Sequence, residues 1–207
     1  MKTANLLYIH VPRTAGTHLE KALGFKGHDV APRCGSVAYG ANYEELMGWD
    51  KKTKMMLQHA TYSQLISHNF ISADNDLIKL VTVRNPYHRV ISLFKYFGGE
   101  RKWISFENFL THLETGGIDG YFYMPQWKYI KGAEFDIIKF ENFLLDVETL
   151  KKKHNLKLNV TFRTKEQAEK SEKTCRKYYT HEEIGCRVTK LYEQDFEMLD
   201  YPKVSYI

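Results

Sequence analysis

The chain has 207 residues, a length that fits one α/β domain and leaves little room for two. Hydrophobic residues make up 43% of the sequence, which is enough for a sizeable core and excludes a wholly disordered chain. The formal net charge of +5 favours an anionic ligand only weakly.

The three cysteines, Cys34, Cys175 and Cys186, are widely spaced and form no Cys-x-x-Cys pair. This pattern argues against a disulfide framework and against a zinc site, and it fits a reducing compartment. The N-terminal apolar run from Leu6 to Val11 is about six residues long, far shorter than a signal core or a membrane span. The sequence therefore predicts a cytoplasmic protein without a membrane segment or a metal ion.

The first predicted strand is that apolar run, Leu6–Val11, which ends at Pro12. A loop of small residues follows, and then a helical pattern with Leu19, Ala22 and Leu23 on one face. A strand that is apolar on both faces belongs inside a parallel sheet covered by helices. The chain is therefore predicted to open with a strand, a loop and a helix.

A second buried strand is predicted at Leu77–Val83, and it leads into a helix that ends near Gly98. Pro86 suits the first turn of that helix. The other predicted elements are a short helix at Tyr43–Met47, a strand at Lys54–Leu57, a helix at Ser105–Leu113, an aromatic loop at Tyr121–Trp127, a strand at Phe135–Phe140, a helix at Glu141–Leu150, a surface loop or exposed helix at Thr164–Arg176, and a terminal helix from Thr180 to Leu199.

Two of these helices begin with residues that favour a helix start. Ser105 is a candidate N-cap, and Thr180 with Glu183 has the spacing of a capping box. Strands that alternate with helices along the whole chain predict an α/β fold with a parallel sheet and right-handed crossovers.

The loop Val11–His18 has the composition of a phosphate-binding turn. A strand that turns through small residues into a helix directs several main-chain N–H groups at one point, where the helix dipole adds positive potential. Arg13 adds a fixed charge, and Thr14 and Thr17 add hydroxyl donors. The Gly-x-x-x-x-Gly-Lys-Ser/Thr pattern of nucleoside triphosphatases is absent. An ordinary tight turn is the alternative interpretation.

The segment Arg84–Ser92 joins a buried strand to a helix in the same way. Arg84 follows the carboxyl end of its strand, where ligands bind in open α/β sheets. Ser92 lies about two helical turns further on, and Arg89 faces another direction, which suggests a structural ion pair. A helix start with a solvated arginine is the alternative. Two such loops in one chain suggest a ligand with two separated phosphate groups.

Together the two loops resemble the cofactor-binding motifs of sulfotransferases that use 3′-phosphoadenosine 5′-phosphosulfate (PAPS). Ile9–Thr17 is similar to the family's 5′-phosphosulfate loop, and Val83–Ser92 is similar to its 3′-phosphate motif. Weaker similarities to carbohydrate sulfotransferases lie at Gln58–Tyr62, Met124–Gln126, Lys139–Phe143 and Tyr179–Phe196. The sequence departs from the family pattern at Arg13, where Lys is common, and at Ala15 and Gln58, where Gly is frequent.

This resemblance implies a single domain over residues 1–207 with a three-layer, P-loop-like α/β fold, in which helices flank a central, mostly parallel sheet. It implies a sulfotransferase that moves a sulfuryl group from PAPS to a hydroxyl or amine acceptor by in-line displacement. The acceptor is a carbohydrate or a small metabolite, and the nucleotide product is 3′-phosphoadenosine 5′-phosphate (PAP). No metal is required.

The resemblance also assigns roles to individual residues. His59 is the general base, with His18 as its rival, and Arg13 neutralises charge on the leaving phosphate. The cofactor-binding residues are Arg13, Thr14, Ala15, Gly16, Thr17, His18, Arg84, Ser92 and Arg163. The substrate-binding residues are His59, Tyr121, Tyr123, Gln126 and Trp127, because aromatic faces suit a sugar ring and an amide suits hydroxyls.

Three other functions stay open at the level of sequence. A nucleotide kinase-like phosphotransferase would need a degenerate P-loop, and the sequence offers no acidic strand end for magnesium. A nucleic-acid-binding module is disfavoured because no long basic stretch with interleaved aromatic residues is present. A non-catalytic relative that binds PAPS as a ligand is the third possibility. The predicted partners are a small-molecule or glycan acceptor, with no nucleic acid and no membrane.

Overall fold

The computed structural model of the chain describes residues 6–23, 49–50, 52–74, 76–158, 160 and 164–204. The helix predicted at Tyr43–Met47 lies outside the described residues, as do Cys34 and Arg163. By its internal packing the chain divides into two compact units. They are Met1–Val83 with Lys128–Phe162, and Arg84–Trp127 with Arg163–Ile207.

The described strands and helices are, in chain order, β1 (Leu6–Ile9), α1 (Gly16–Ala22), β2 (Trp49–Asp50), β3 (Met55–Met56), a 3-10 turn (Leu57–His59), α2 (Tyr62–Ser67), β4 (Ile78–Val83), α3 (Pro86–Tyr96), α4 (Gly99–Trp103), α5 (Phe106–Glu114), a 3-10 turn (Gly117–Asp119), α6 (Trp127–Ile130), β5 (Asp136–Lys139), a 3-10 turn (Phe140–Asn142), α7 (Phe143–His154), α8 (Thr164–Tyr178), α9 (Glu182–Leu191) and α10 (Glu193–Met198).

The first unit is built on a parallel sheet of three strands in the order β1-β4-β5. Tyr8 lies opposite Leu80, and Thr82 lies opposite Ile138. Because all three strands are parallel, their carboxyl ends lie at one edge of the sheet, which is the edge that binds ligands in open α/β sheets. The predicted α/β class with a parallel sheet is confirmed. The full three-layer, P-loop-like fold and the single domain over 1–207 stay predictions.

One face of this sheet packs against α1 and α7. Side chains at alternate strand positions point to the same face, so the apolar residues of β1, β4 and β5 meet the helices there. The buried cluster consists of Tyr8, Leu19, Leu80, Ile138, Phe140, Phe143, Val147 and Leu150. This packing fixes the direction in which α1 leaves the loop that follows β1.

The strand predicted at Lys54–Leu57 does not join the parallel sheet. It is reduced to β3, which pairs in antiparallel fashion with β2, and the chain continues as the 3-10 turn Leu57–His59. The helix α2 then begins with a capping box that the sequence analysis did not note. Thr61 Oγ1 accepts from Gln64 N–H at 3.1 Å, and Gln64 Oε1 accepts from Thr61 N–H at 2.9 Å. These contacts fix the residues that follow His59.

The second unit is helical and aromatic in its core. Phe94 of α3 contacts Phe106, Phe109 and Tyr178, with ring centroids 5.4, 5.7 and 5.5 Å apart. Such edge-on and tilted ring pairs add about 0.5–1.5 kcal/mol each beyond the area they bury. These buried rings hold the last turns of α3 against α5 and α8.

Helix starts in the second unit were predicted with mixed success. Asn85 accepts from Tyr87 N–H at 3.0 Å before Pro86, and Ser105 accepts from Asn108 N–H at 3.2 Å, so both predicted starts are confirmed. The capping box predicted at Thr180 is wrong, because α9 begins after His181 and no side chain caps it.

The predicted terminal helix is also interrupted. It divides at Tyr192 into α9 and α10, and the hydroxyl of this buried residue donates to Tyr123 O at 2.8 Å. Thr164–Arg176, predicted as a loop or exposed helix, lies within α8. In the part of the chain that the structure describes, no helix is long and apolar enough to cross a bilayer.

Candidate functional site

The loop between β1 and α1 turns through a left-handed backbone. Arg13 has φ 68° and Ala15 has φ 72°, although neither residue is glycine. A side chain in this region costs roughly 1–2 kcal/mol per residue, so packing elsewhere must compensate. Successive main-chain N–H groups that alternate between right- and left-handed residues form a concave anion-binding nest. The strained backbone thus fits the predicted phosphate-binding turn.

Gly16 lies where no side chain fits. A Cβ atom built on it would lie 2.5 Å from Tyr8 Oη and 2.7 Å from His10 Nε2. The loop therefore packs directly on two side chains of the strand it leaves. A glycine at this position is a steric requirement of the turn.

Three hydroxyl groups linked by hydrogen bonds connect the loop to the sheet and support it. Thr14 Oγ1 donates to Val11 O at 2.8 Å, so its single proton is used and it must accept from Thr82 Oγ1, which is 2.8 Å away. Thr82 then accepts from Tyr8 Oη at 2.6 Å. Burial, and after it the charge of Glu20, raises the pKa of Tyr8 well above its usual value, so the phenol remains a donor. All three hydroxyls point their protons towards the loop.

This arrangement limits which group of Thr14 can contact a phosphate. Its side chain is fully buried and its hydroxyl is bound to Val11 and Thr82. A phosphate contact by this residue is left to its main-chain N–H. Arg13 and Thr17 are exposed, which leaves their side chains accessible to a ligand.

A buried hydrogen-bonded pair of side chains, His10 and Glu20, lies behind the loop and was missed in the sequence. Glu20 of α1 is fully buried, and its Oε1 lies 2.9 Å from Nδ1 of the buried His10. A buried carboxylate is rare unless it has a partner, so the two side chains depend on each other. The available signal was Glu20 itself, which follows Leu19 on the buried side of a short helix.

His59 lies beside this pair, on the 3-10 turn after β3. Its ring is buried, and its Nδ1 lies 3.1 Å from the main-chain oxygen of His10. The rings of His59 and His10 meet edge to face at 5.1 Å. A carbonyl oxygen only accepts, so Nδ1 carries the proton and Nε2 is the acceptor of the neutral ring. This tautomer is the one that a general base requires.

His18, the rival base, lies in a different setting. It is exposed on the first turn of α1, and His18 N–H donates to Ala15 O at 2.9 Å. Partial desolvation, followed by the charge of Lys21, lowers the pKa of His18. A lowered pKa favours the neutral form of the ring at neutral pH.

In the second unit, the main chain of Arg84 is held by the side chain of Gln126. Arg84 N–H donates to Gln126 Oε1 at 2.9 Å, and Gln126 Nε2 donates to Arg84 O at 2.8 Å. Gln126 is fully buried. Its amide positions the arginine in this structure, while its predicted contact with the acceptor stays a prediction.

Asp195 fixes Gln126 in turn. The two carboxylate oxygens accept from Gln126 N–H and from Trp127 N–H, each at 2.9 Å. Burial raises the pKa of Asp195, and the charge of Arg89 and the two N–H bonds oppose that rise. The carboxylate therefore anchors the whole turn that supports Arg84.

Arg89 has the structural role predicted for it, with different partners. It is fully buried and donates to Phe122 O at 3.0 Å and to Met124 O at 3.1 Å. Two main-chain carbonyls of the aromatic loop thus accept hydrogen bonds from a buried guanidinium, whose charge also acts on Asp195. The aromatic loop is fixed to α3 by this one side chain.

The predicted acceptor residues differ in their accessibility. Tyr121 is exposed and packs on Phe122 at 4.6 Å. Tyr123 is half-buried against Phe97, and burial raises its pKa. Trp127 is half-buried, and so is Ser92, which was predicted to bind the 3′-phosphate of the cofactor. Tyr121 is thus the most accessible of the four predicted aromatic and amide residues of this loop.

A comparison with known families gives one match. The model of the Sulfotransferase family matches residues 1–202. The chain therefore belongs to the sulfotransferase family, and the resemblance seen in the two loops is confirmed. No curated protein and no solved structure matches the chain. Family membership supports sulfotransferase activity in general, and within the described residues no group of three or more His, Cys, Asp or Glu side chains is placed to hold a metal ion.

We expect two neighbouring substitutions in the first loop to act oppositely. Ala15→Gly removes the steric cost of a Cβ atom in a left-handed backbone, but it also raises the conformational entropy of the unfolded chain. Because the first effect offsets or exceeds the second, the free energy of unfolding should rise or change by less than about 0.5 kcal/mol. Gly16→Ala places a Cβ atom against the side chains of Tyr8 and His10, so we expect it to lower the free energy of unfolding by about 1–3 kcal/mol. Urea unfolding measures both. A Gly16→Ala protein as stable as the parent would contradict the packing of the loop.

We expect Gln126→Ala to lower the free energy of unfolding by about 1–3 kcal/mol, because it leaves the main chain of Arg84 without its two bonds. Tyr121→Ala is the control from the same loop. Because this side chain is exposed, its removal should lower the free energy of unfolding by less than about 0.5–1 kcal/mol. Equal losses in the two variants by urea unfolding would show that Gln126 has no special role in this turn.

Proposed function

We propose that this protein transfers a sulfuryl group from PAPS to a hydroxyl or amine acceptor on a carbohydrate or small metabolite, with release of PAP. The observation that carries the proposal is the left-handed loop Arg13–Thr17 together with His59, whose Nδ1 faces the carbonyl of His10 at 3.1 Å. A phosphate-type nest and a histidine in the tautomer of a base are what sulfuryl transfer needs.

The 5′-phosphosulfate is assigned to the first loop. The main-chain N–H groups of residues 14–17 are the proposed donors, because the hydroxyl of Thr14 is already used within the fold. Arg13 is exposed, and its guanidinium group is suited to bind a phosphate group with two hydrogen bonds. It takes the place of the lysine common in the family. Thr17, also exposed, adds a side-chain donor.

In the proposed reaction the acceptor oxygen or nitrogen attacks sulfur, and His59 Nε2 takes the acceptor proton. The bond between sulfur and the bridging oxygen of the 5′-phosphate breaks, and its electron pair stays on that phosphate. Arg13 and the loop N–H groups then stabilise the added negative charge. The His10 carbonyl stabilises the protonated His59 ring, because a bond from a cationic donor is stronger than one from a neutral ring.

The 3′-phosphate is assigned to Arg84 and Ser92. The support for Arg84 is the order of its main chain, which both polar atoms of the Gln126 amide hold in place. A guanidinium whose backbone is fixed loses less entropy when it binds a phosphate. Arg163 is proposed as a further contact from the family resemblance alone, since it lies outside the described residues.

A reducing, cytoplasmic setting is part of the proposal. It is supported by cysteine usage, since Cys186 is an exposed thiol that forms no disulfide. The acceptor contacts are proposed for Tyr121, Tyr123 and Trp127, with Tyr121 the most accessible. Metal-independent turnover completes the proposal, because charge stabilisation comes from arginine and main-chain groups.

We expect calorimetric titration to show that PAP binds and that AMP and ATP bind at least tenfold more weakly, because only PAP carries a 3′-phosphate. Arg84→Ala should weaken the affinity for PAP by about tenfold to a hundredfold, because it removes one charge-assisted contact with a phosphate. Arg101→Ala, an exposed arginine of α4, is the matched control. Equal affinity for ATP and PAP would reject the proposal and favour the kinase-like alternative.

We expect His59→Ala to keep PAP affinity within about twofold and to lower turnover with PAPS by 10²- to 10⁴-fold, the usual contribution of a general base. His18→Ala tests the rival residue under the same conditions and should retain most of the turnover. Rates are measured by PAP release with a panel of glycan acceptors. An active His59→Ala enzyme, with an inactive His18→Ala enzyme, would move the base to His18.

A further inference from the structure

Three lysines lie on one face of α8 in the second unit. Lys170, Lys173 and Lys177 are spaced by three and four residues, which places them on one side of the helix. All three are exposed, and together with Glu169 and Thr174 they line a groove of about 390 Å³. With a rise of about 1.5 Å per residue, the stripe extends over about 10 Å. We call these three residues the lysine face.

A fourth cation from α3 joins the lysine face. Lys95 Nζ lies 5.3 Å from the centre of the Tyr178 ring, and Lys177 Nζ lies 5.2 Å from the same centre. Burial lowers the pKa of Lys95, the charges of Lys177 and Lys170 lower it further, and the charge of Glu100 opposes this shift. Like charges are therefore held close enough to repel one another, and an anionic ligand would relieve that repulsion.

The neighbouring carboxylates offset this charge only in part. Glu100 accepts from Tyr178 Oη at 2.6 Å and lies 3.9 Å from Lys177. Glu172 lies 3.8 Å from His88 and 3.8 Å from Arg176. The third, Glu169, lies in the groove itself. Among the described side chains of this surface the cations outnumber the carboxylates, so it keeps a net positive charge.

We infer that the lysine face, with Lys95, binds an anionic polysaccharide that carries several carboxylate or sulfate groups along its length. The spacing of the lysines demands a ligand with charges spread over about 10 Å, which a single small anion does not provide. Lysine ammonium groups on flexible stems suit a chain of repeated point charges. The choice of a polysaccharide rests on the proposed function, because a carbohydrate is one of the two acceptor classes proposed for that reaction.

The surface fits nucleic acid and membranes less well. Single-stranded nucleic acid gains much of its affinity from bases stacked on aromatic rings, but the Tyr178 ring is buried and ammonium groups lie over it. A membrane-surface helix needs an exposed apolar face, and the groove-lining residues of α8 are all charged or polar. The lysine face offers charge without stacking or insertion.

The test compares two triple variants of the full chain for binding to heparin, a sulfated and carboxylated polysaccharide. Lys170→Gln, Lys173→Gln and Lys177→Gln together remove the lysine face. Lys52→Gln, Lys152→Gln and Lys157→Gln remove the same charge from exposed sites of the first unit. We expect the first triple variant to bind heparin at least about tenfold more weakly at low ionic strength, and its affinity to depend less steeply on salt concentration. The control should change affinity less than about threefold.

Three outcomes would overturn the inference. Equal losses in both triples would mean that net charge alone attracts heparin, and unchanged affinity in the first triple would remove the lysine face from binding. A random oligonucleotide bound as tightly as heparin, with the same losses, would assign the surface to nucleic acid. PAP titration of the same proteins keeps the two proposals apart, since failure of the donor site abolishes PAP binding and leaves heparin binding intact.

Discussion

The relay of hydroxyl protons beneath the first loop is the constraint on which the rest of the structure depends. Tyr8, Thr82 and Thr14 come from β1, β4 and the loop, so the relay joins two strands of the sheet to the turn that follows one of them. Each hydroxyl has one proton, and each proton has one acceptor, which leaves a single consistent direction. A buried network satisfied in this way is rigid, and it holds the strained residues of the loop in place.

The buried Glu20 acts on this loop from the other side. Its contact with His10 orients a ring that in turn lies against Gly16 and against the edge of His59. The same residue, His10, also supplies the carbonyl that orients His59. The first loop and the candidate base His59 therefore share one support in the first unit, and a disturbance of His10 would reach both.

The sequence predicted what local patterns determine. The strands β1, β4 and β5 follow from apolar runs, and the start of α3 follows from Pro86, which suits a first helical turn. The family motifs located both loops. It did not predict contacts between distant residues. Gln126 was assigned to the acceptor because Gln beside aromatic rings suits a sugar, yet its amide is used by Arg84.

Two predicted elements differ from the structure. The strand at Lys54–Leu57 lost its place in the sheet because a hairpin partner, β2, lies just before it. The terminal helix breaks at Tyr192 because its hydroxyl and the Asp195 carboxylate both reach the aromatic loop. Tertiary hydrogen bonds of this kind override local propensity and leave little trace in a single sequence.

The support of Arg84 has a consequence for the order in which the protein can form. Gln126 lies 42 residues after Arg84, and Asp195 lies 69 residues after Gln126. A ribosome adds about 5–20 residues per second, so Arg84 emerges roughly 5–20 seconds before its last support does. During that interval the first loop can already pack on β1, while the second stays without its anchor. Co-translational folding can therefore complete the contacts of the first loop before those of the second.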